Sequence, residues 1–377
     1  MPFDICIGCR KRSPEEVPMR LEVFCDRIRR NAVTLVRLCG DAGIEVVGVT
    51  KSCCGHPEVA RAMLSGGVTT LADSRLDNVR RMREAGIDAD VMLLRLPGLS
   101  EVADVVTLTQ VSLNSEMETI RALSEAAQEQ KLTHRVILMV EMGDRREGVM
   151  PPDALSIVRT IRELPCIDLV GIGTNLVCIG GVLPTVENTQ ALIDLAESIE
   201  EALDIEFEVI SGGNTYSLDF VIRDEMPTRI NQLRVGEGIL LGVNSVTKNP
   251  LPCPHQDAFS VVAEVIEVKT KPSMPEGPIA MDAFGRKPEW EDLGLRRRAI
   301  LALGEQDMRI SGLRSRRRGV TIVGASSDHL VVDVTEAHPP VGLGEELAFA
   351  PLYEAVATGM ASSSVTKVVV PISDWSS

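Results

Sequence analysis

A lysine directly after a short apolar run has the residue type and the position of a catalytic group. Residues 46–50 predict a buried strand that ends at Lys51, and residues 52–57 predict a turn because they include serine, glycine and proline. In β/α folds the carboxyl ends of the parallel strands carry the chemistry. Desolvation there favours the neutral amine, which can form a Schiff base with an aldehyde such as pyridoxal phosphate. A lysine at a strand end, taken alone, is more often a solvated side chain.

Two later turns are rich in glycine and polar groups. Residues 211–215 (SGGNT) follow a strand predicted for 206–211, and residues 234–238 (RVGEG) lie in the last predicted member of the series. Backbone N–H groups of such turns bind anions, and barrels of parallel strands hold phosphate groups in the loops after strands seven and eight. Together with Lys51, these turns predict a site for a phosphate-bearing cofactor.

A charged loop follows the strand predicted for residues 135–140. Five of the eight residues 141–148 (EMGDRREG) are charged, which is too many for a buried connection and is typical of an active-site loop. An arginine in this loop can bind a substrate carboxylate through two parallel hydrogen bonds. The alternative interpretation is a solvated loop with internal ion pairs.

The segments that carry these residues alternate between strand and helix patterns. Ser115 and Glu118 have the spacing of a capping box at one helix start. Seven or eight β/α alternations over about 220 residues predict a (β/α)8 TIM barrel in the α/β class. A doubly wound open sheet is the alternative, but no G-x-G-x-x-G follows the first strand. Strands are predicted for 46–50, 70–72, 91–96, either 105–106 or 111–113, 135–140, 169–174, 206–211 and 232–241, and helices for 27–43, 58–65, 76–85, 115–128, 152–163 and 185–202.

The pattern changes after residue 249, where a proline-rich joint precedes short alternating runs. These runs predict a separate, mainly-β C-terminal domain. We expect an atypical leader at 1–17, the barrel at 18–250 and the β domain at 251–377, with a strand at 19–24 that joins either domain. Arginine clusters at 296–298 and 314–318 predict solvated loops or a subunit contact. The runs are 259–268, 279–283, 299–303, 320–323, 330–334, 346–349 and 365–370.

The composition limits the partners. The chain has 377 residues, a formal net charge of −15 and a pI near 4.9, which argues against nucleic acid or an anionic membrane surface as a partner. No apolar run is long enough to span a bilayer. Nine scattered cysteines, an odd number, suit reduced thiols and a cytoplasmic location. Cys6 and Cys9 supply two ligands where a structural zinc needs four, so no metal site is predicted.

The combined motifs resemble those of the fold-type III pyridoxal phosphate (PLP) enzymes, and among them the alanine/ornithine racemase group of amino-acid racemases. The resemblance extends from about residue 19 to residue 370 and rests on residues 46–51, 72–78 (ADSRLDN), 139–148 and 211–215. It implies a barrel that binds PLP, a C-terminal β domain, and a head-to-tail homodimer in which each β domain completes the partner's site.

The resemblance also implies roles for individual residues. Lys51 would bind the cofactor covalently and act as one of two proton-transfer bases. Arg234 would lie beside the pyridine nitrogen and leave it unprotonated, which makes the cofactor a weaker electron sink and suits a racemase. Arg146 would lie near the substrate carboxylate. Further cofactor contacts are expected at Ser211, Gly213, Asn214, Thr215, Gly236 and Tyr353.

The chain departs from the pattern of alanine racemases at two places. Their second base is a tyrosine in a Gly-Tyr-Ala-Asp-Gly element, whereas residues 281–285 (MDAFG) contain none. Asp282 and His329 are therefore the candidates for that base, with Asp328 orienting His329, although His329 is equally compatible with a satisfied loop histidine. Asn175 stands where alanine racemases usually have a histidine near the cofactor ring.

The sequence thus predicts a PLP-dependent racemase that interconverts L- and D-amino acids by removing and returning the α-proton. The absent tyrosine favours ornithine or a related amino acid over alanine. Glu141, Glu237 and Asp282 could each meet a substrate ammonium, and the sequence does not rank them. The alternatives are a PLP-dependent decarboxylase and a non-catalytic PLP-binding homeostasis protein. Homeostasis proteins of that kind consist of a barrel alone, so the predicted β domain argues against this alternative.

Overall fold

The computed structural model describes residues 17–282 and 284–372, which form two compact units. Residues 24–258, with 371 and 372, make up the first unit, and residues 17–23 together with the described part of 259–370 make up the second. Residues 251–258, which begin with the proline-rich joint at 251–255, thus belong to the first unit. Most of the leader expected at 1–17, with Cys6 and Cys9, lies outside the described residues.

Eight parallel strands in the first unit close into a barrel. Each strand pairs with its neighbour in chain order, and the last pairs with the first. The predicted (β/α)8 barrel is therefore confirmed. The closure brings the strand before Lys51 next to the last barrel strand, and so next to the second glycine-rich turn. The strands are β2 (Glu45–Val49), β3 (Thr70–Asp73), β4 (Asp90–Leu93), β5 (Val111–Asn114), β6 (His134–Met139), β7 (Ile167–Gly173), β8 (Val209–Asn214) and β9 (Gln232–Val235).

Alternate residues of these strands fill the barrel with apolar side chains, as the two-residue period of a strand requires. The interior cluster consists of Val47, Val49, Ala72, Met92, Val111, Leu113, Ile137, Met139 and Val170. The cluster fixes which residues of each strand face inward. Arg234 pairs in register with Val47, so its side chain faces the barrel interior as well.

Nine helices of the described chain belong to the first unit: α1 (Cys25–Asp41), α2 (Pro57–Ser65), α3 (Leu76–Glu84), α4 (Val102–Leu108), α5 (Met117–Gln130), α6 (Pro151–Arg162), α7 (Val186–Leu203), α8 (Leu218–Ile222) and α9 (Glu237–Leu241). The alternative strand at 105–106 is wrong, because these residues lie in α4. The capping box at Ser115 is also wrong. Helix α5 begins later and Glu116 precedes it, with no side-chain cap among the described residues.

The second unit is built on antiparallel pairings in the order β12-β15-β10-β11-β14-β13, with β1 beside β10 and β16. The strand expected at 279–283 is wrong, since residues 279–282 are irregular. The cluster 296–298 lies in a strand rather than a loop, where Arg296 pairs with Asp333. Among the residues the structure describes, no helix is long and apolar enough to cross a membrane. The elements are β1 (Met19–Phe24), β10 (Phe259–Pro272), β11 (Leu295–Leu301), β12 (Leu313–Ser315), β13 (Thr321–Ala325), β14 (Leu330–Asp333), β15 (Glu346–Pro351), α10 (Tyr353–Ala361) and β16 (Thr366–Val370).

Candidate active site at the barrel mouth

Lys51 stands at the carboxyl end of β2, in a short 3-10 turn. Its neighbours Thr50 and Ser52 are buried, whereas the lysine side chain is exposed. In the described part of the chain, its Nζ atom has no hydrogen-bond or ion-pair partner. The surrounding protein still lowers the pKa of Lys51, first by desolvation and then through the positive charge of Arg146. A lowered pKa raises the fraction of neutral amine, which is the nucleophilic form.

A buried carboxylate holds the backbone that carries Lys51. The Thr50 hydroxyl donates to Asp73 Oδ2 at 2.7 Å, and Asp73 Oδ1 accepts from Asn78 Nδ2 at 2.8 Å. Burial raises the pKa of Asp73, while these two hydrogen bonds oppose the rise. Because Asp73 ends β3, it joins the ends of the first two barrel strands and fixes the base of Lys51.

Arg234 is a buried cation on the inward face of β9. Its Nη2 donates to the Thr174 carbonyl at 2.7 Å and its Nη1 donates to Ser211 Oγ. Desolvation lowers the pKa of Arg234 to about 10, so it remains charged at neutral pH. In the described chain its direct hydrogen-bond partners include no carboxylate. The guanidinium can therefore serve a neutral acceptor placed in the barrel mouth.

The two glycine-rich turns lie side by side. Thr215 Oγ1, after β8, accepts from the Gly238 N–H at 3.2 Å, after β9. Gly213 adopts φ +115°, and an added Cβ there would lie 2.9 Å from Ser217 Oγ. One extra residue bulges from β8 between Ser211 and Asn214. A bulge of this kind takes backbone groups out of the strand ladder and suits an anion cradle.

Two predicted cofactor residues use their side chains to hold this turn. Ser211 Oγ donates to Gln232 Oε1 at 3.1 Å and accepts from Arg234, so it positions the arginine. Asn214 Nδ2 donates to the Leu176 carbonyl at 2.8 Å and to Asn175 Oδ1 at 3.4 Å. These bonds tie the ends of β7 and β8 together. An anion at this turn would therefore meet mainly backbone groups.

The charged loop 141–148 is built on two buried acids. Glu141 is 8% exposed, and its carboxylate accepts from the backbone N–H groups of Gly143 and Arg146. Asp144 is 1% exposed, and its Oδ1 accepts from Cys178 N at 3.1 Å and Val182 N at 3.2 Å. Two of the five charges therefore stabilise the loop and pin it to residues 178–182.

Arg146 lies at the tip of this loop. Its Nε and Nη2 donate to the two carboxylate oxygens of Glu147, and its Nη1 contacts Cys178 Sγ at 2.7 Å. The ion pair with Glu147 is the first cause that raises the pKa of Arg146. The arginine is close enough to Lys51 to act on its pKa, as is Arg234. The structure thus brings Lys51, Arg146 and Arg234 together.

The remaining predicted site residues belong to the second unit. Asp282 accepts from the Arg286 N–H and from Arg286 Nε, both at 2.8 Å, and the backbone bond is the first cause that lowers the pKa of Asp282. His329 is half exposed, and its Nδ1 lies 2.8 Å from Asp328 Oδ1. Tyr353 begins α10. The roles of Asp282, His329 and Tyr353 stay predictions.

Sequence reasoning assigned no role to Asp73 or Glu147, although both act directly on the cationic site. Asp73 had a weak signal, because it is a lone acid at the end of a predicted strand. Glu147 had none, since an acid beside an arginine in a charged loop is compatible with solvent exposure.

The described chain thus combines a closed parallel barrel, which has a lysine directly after its first strand, with an antiparallel β unit. A model of the family described as "Alanine racemase, N-terminal domain" matches residues 23–243. An ornithine racemase from Acetoanaerobium sticklandii is 37% identical over 92% of this chain and 98% of its own. A lysine racemase from Thermotoga maritima is 40% identical over 93% of this chain and 98% of its own.

The chain belongs to this alanine racemase family. An alanine racemase of solved structure from Streptomyces lavendulae, at 18% identity, has a TM-score of 0.73 over 94% of this chain and 97% of that one. That similarity confirms the fold in both units.

Proposed function

We propose that this protein is a PLP-dependent amino-acid racemase that acts on ornithine, lysine or a related basic amino acid. The observation that carries the proposal is a lysine that has a lowered pKa and no side-chain partner among the described residues. It shares the barrel mouth with two arginines and two joined glycine-rich turns. The names of the ornithine racemase and the lysine racemase supply the substrate class.

The residues present fit PLP. Lys51 supplies an amine for covalent attachment, and the bulged turn around Gly213 with the neighbouring Gly236 supplies backbone donors for a phosphate. Arg234 offers a charged donor for the ring nitrogen. Bound PLP would withdraw electrons from the substrate and so acidify the α C–H bond.

The chain's own residues then bind substrate and move protons. Arg146 would hold the α-carboxylate, and Lys51 Nζ would accept or return the α-proton on one face. Racemisation needs a second base on the other face. His329 suits this role better than Asp282, because its Nδ1 contact with Asp328 fixes one ring nitrogen and leaves Nε2 for the proton.

Asp282 is the weaker candidate for the second base. Its carboxylate is already occupied by Arg286 and its pKa is lowered, so it is a poorer base.

We also propose a head-to-tail homodimer and a cytoplasmic location.

The test combines cofactor trapping with a substrate panel. Borohydride reduction and peptide mapping should place the adduct on Lys51, and Lys51→Ala should lack it. In deuterium oxide, wild-type protein should exchange the α-hydrogen of L-ornithine or L-lysine and form the D-enantiomer. Release of carbon dioxide instead would favour the decarboxylase. An unexchanged α-hydrogen across the panel would refute the proposed function.

A further inference from the structure

Most of the Arg146 guanidinium is already engaged by the protein. The two carboxylate oxygens of Glu147 accept hydrogen bonds from Nε and Nη2. Cys178 Sγ accepts one hydrogen bond from Nη1. A guanidinium has five N–H groups, so one remains on each terminal nitrogen. A carboxylate that binds an arginine in a bidentate manner needs two N–H groups on neighbouring nitrogens.

Glu147 is held in the interior of the site. Its side chain is only 12% exposed, against 37% for Arg146. Glu147 also opposes the lowering of the Arg234 pKa, so its field reaches the second arginine. Within the described ranges, it is the one acid whose side chain hydrogen-bonds the Arg146 guanidinium. It therefore supplies the negative charge paired with Arg146, and that charge also acts on Arg234.

The backbone that carries the pair is fixed on both sides. Glu141 Oε2 accepts from Arg146 N at 3.1 Å, and Glu141 N donates to the Val149 carbonyl at 2.9 Å. Gly148 adopts φ +136° against the backbone of residues 140 and 141. With the main chain fixed, the direction of the Arg146 side chain depends on what its guanidinium touches.

We propose that Glu147 is a positioning residue for recognition of the α-carboxylate. By occupying one edge of the Arg146 guanidinium, it locks the rotamer and presents the two remaining N–H groups to the substrate. The inference rests on the proposed racemase function and deepens it. Without the Glu147 charge, Arg146 samples other rotamers and the α-carboxylate loses its preorganised partner.

The experiment compares ligands with and without the α-carboxylate. L-Ornithine and 1,4-diaminobutane share both amino groups, but the diamine has no carboxylate. For Glu147→Gln, we expect the KM for L-ornithine to rise at least tenfold while kcat changes less. Inhibition by 1,4-diaminobutane should stay within twofold of wild type. Calorimetric binding of both ligands to the full chain gives the same comparison without turnover.

Three further variants separate positioning from folding. Glu147→Asp keeps the charge and should recover part of the ornithine affinity. In an Arg146→Gln background, Glu147→Gln should change the KM for L-ornithine by less than a further twofold, because the two residues act as one unit. Arg145→Gln is the matched control, since Arg145 is exposed and its one side-chain hydrogen bond among the described residues is to Met150 Sδ.

Each outcome decides the inference. An unchanged KM in Glu147→Gln overturns it, and so does an equal loss for ornithine and diamine, or effects that multiply in the double variant. These results leave the racemase function standing. A wild-type protein that exchanges no α-hydrogen refutes the proposed function itself, and the inference with it.

Discussion

Replacing Gly148 with alanine tests whether catalysis requires the charged loop 141–148 to keep its position to within about 1 Å. Gly148 adopts φ +136°, where an L-residue is strained by about 1–3 kcal/mol. The added Cβ would lie 2.5 Å from Glu141 N and 2.7 Å from the carbonyl carbon of Val140. Ordinary contact begins at 3.4 Å, so the overlap is about 0.9 Å. Both opposing atoms are backbone, so they can only separate if the loop moves.

A loop displacement of this size has a defined kinetic cost. A misplacement of about 1 Å at a positioned group costs on the order of 100-fold in rate, so Gly148→Ala should lower kcat/KM for L-ornithine about 100-fold. The absorbance of the proposed PLP cofactor should remain, because Lys51 and the glycine-rich turns follow other strands. Gly40→Ala is the control: its Cβ meets nothing within 4 Å. Activity of Gly148→Ala within threefold of wild type would refute the reasoning.

Three stability predictions follow from the same structure. The Thr185 hydroxyl caps α7 by accepting from Asn188 N at 3.2 Å. Thr185→Ala should therefore lower the free energy of unfolding in urea by about 1 kcal/mol. The control Ser115→Ala should change it by no more than about 0.5 kcal/mol. Burial lowers the pKa of His134 to about 4, so protonation of the unfolded chain should remove up to about 3 kcal/mol of stability as pH falls from 6.5 to 4. His134→Gln should lose less in thermal scans over that range. Thr50→Val leaves a buried Asp73 oxygen without its donor and should cost about 1.5–3 kcal/mol at pH 7. That loss should shrink at acidic pH, because the raised pKa of Asp73 favours its protonated form there.

The barrel could be predicted because its strands and helices repeat with strong periodicity. Short apolar runs carry less information. Val105 and Val106 are compatible with a strand or a buried helix turn, and only the packing of α4 decides between them. The alternating residues Ile279 and Met281 suggested a strand, but they are 53% and 68% exposed and lie outside the sheet.

The same limit applies to the site. The position of Lys51 and of the glycine-rich turns follows from where strands end, which the sequence shows. The partners of Arg146 cannot be predicted from strand ends, because its pairing with Glu147 and Cys178 depends on how two loops meet. Ser211 illustrates the difference: its place after a strand was predictable, but its bond to Arg234 arises from a pairing between distant segments.

The pairing of β1 with β10 has a consequence for synthesis. Met19–Phe24 leaves the ribosome long before Phe259–Pro272, the strand it pairs with from Met19 opposite Ala263 to Val23 opposite Phe259. At about 5–20 residues per second, translation of the intervening segment takes on the order of ten to fifty seconds. During that interval the nascent strand has an open edge, and its charged Arg20 and Glu22 help to keep it from pairing with other chains. A chaperone that binds extended segments would have this interval in which to bind β1.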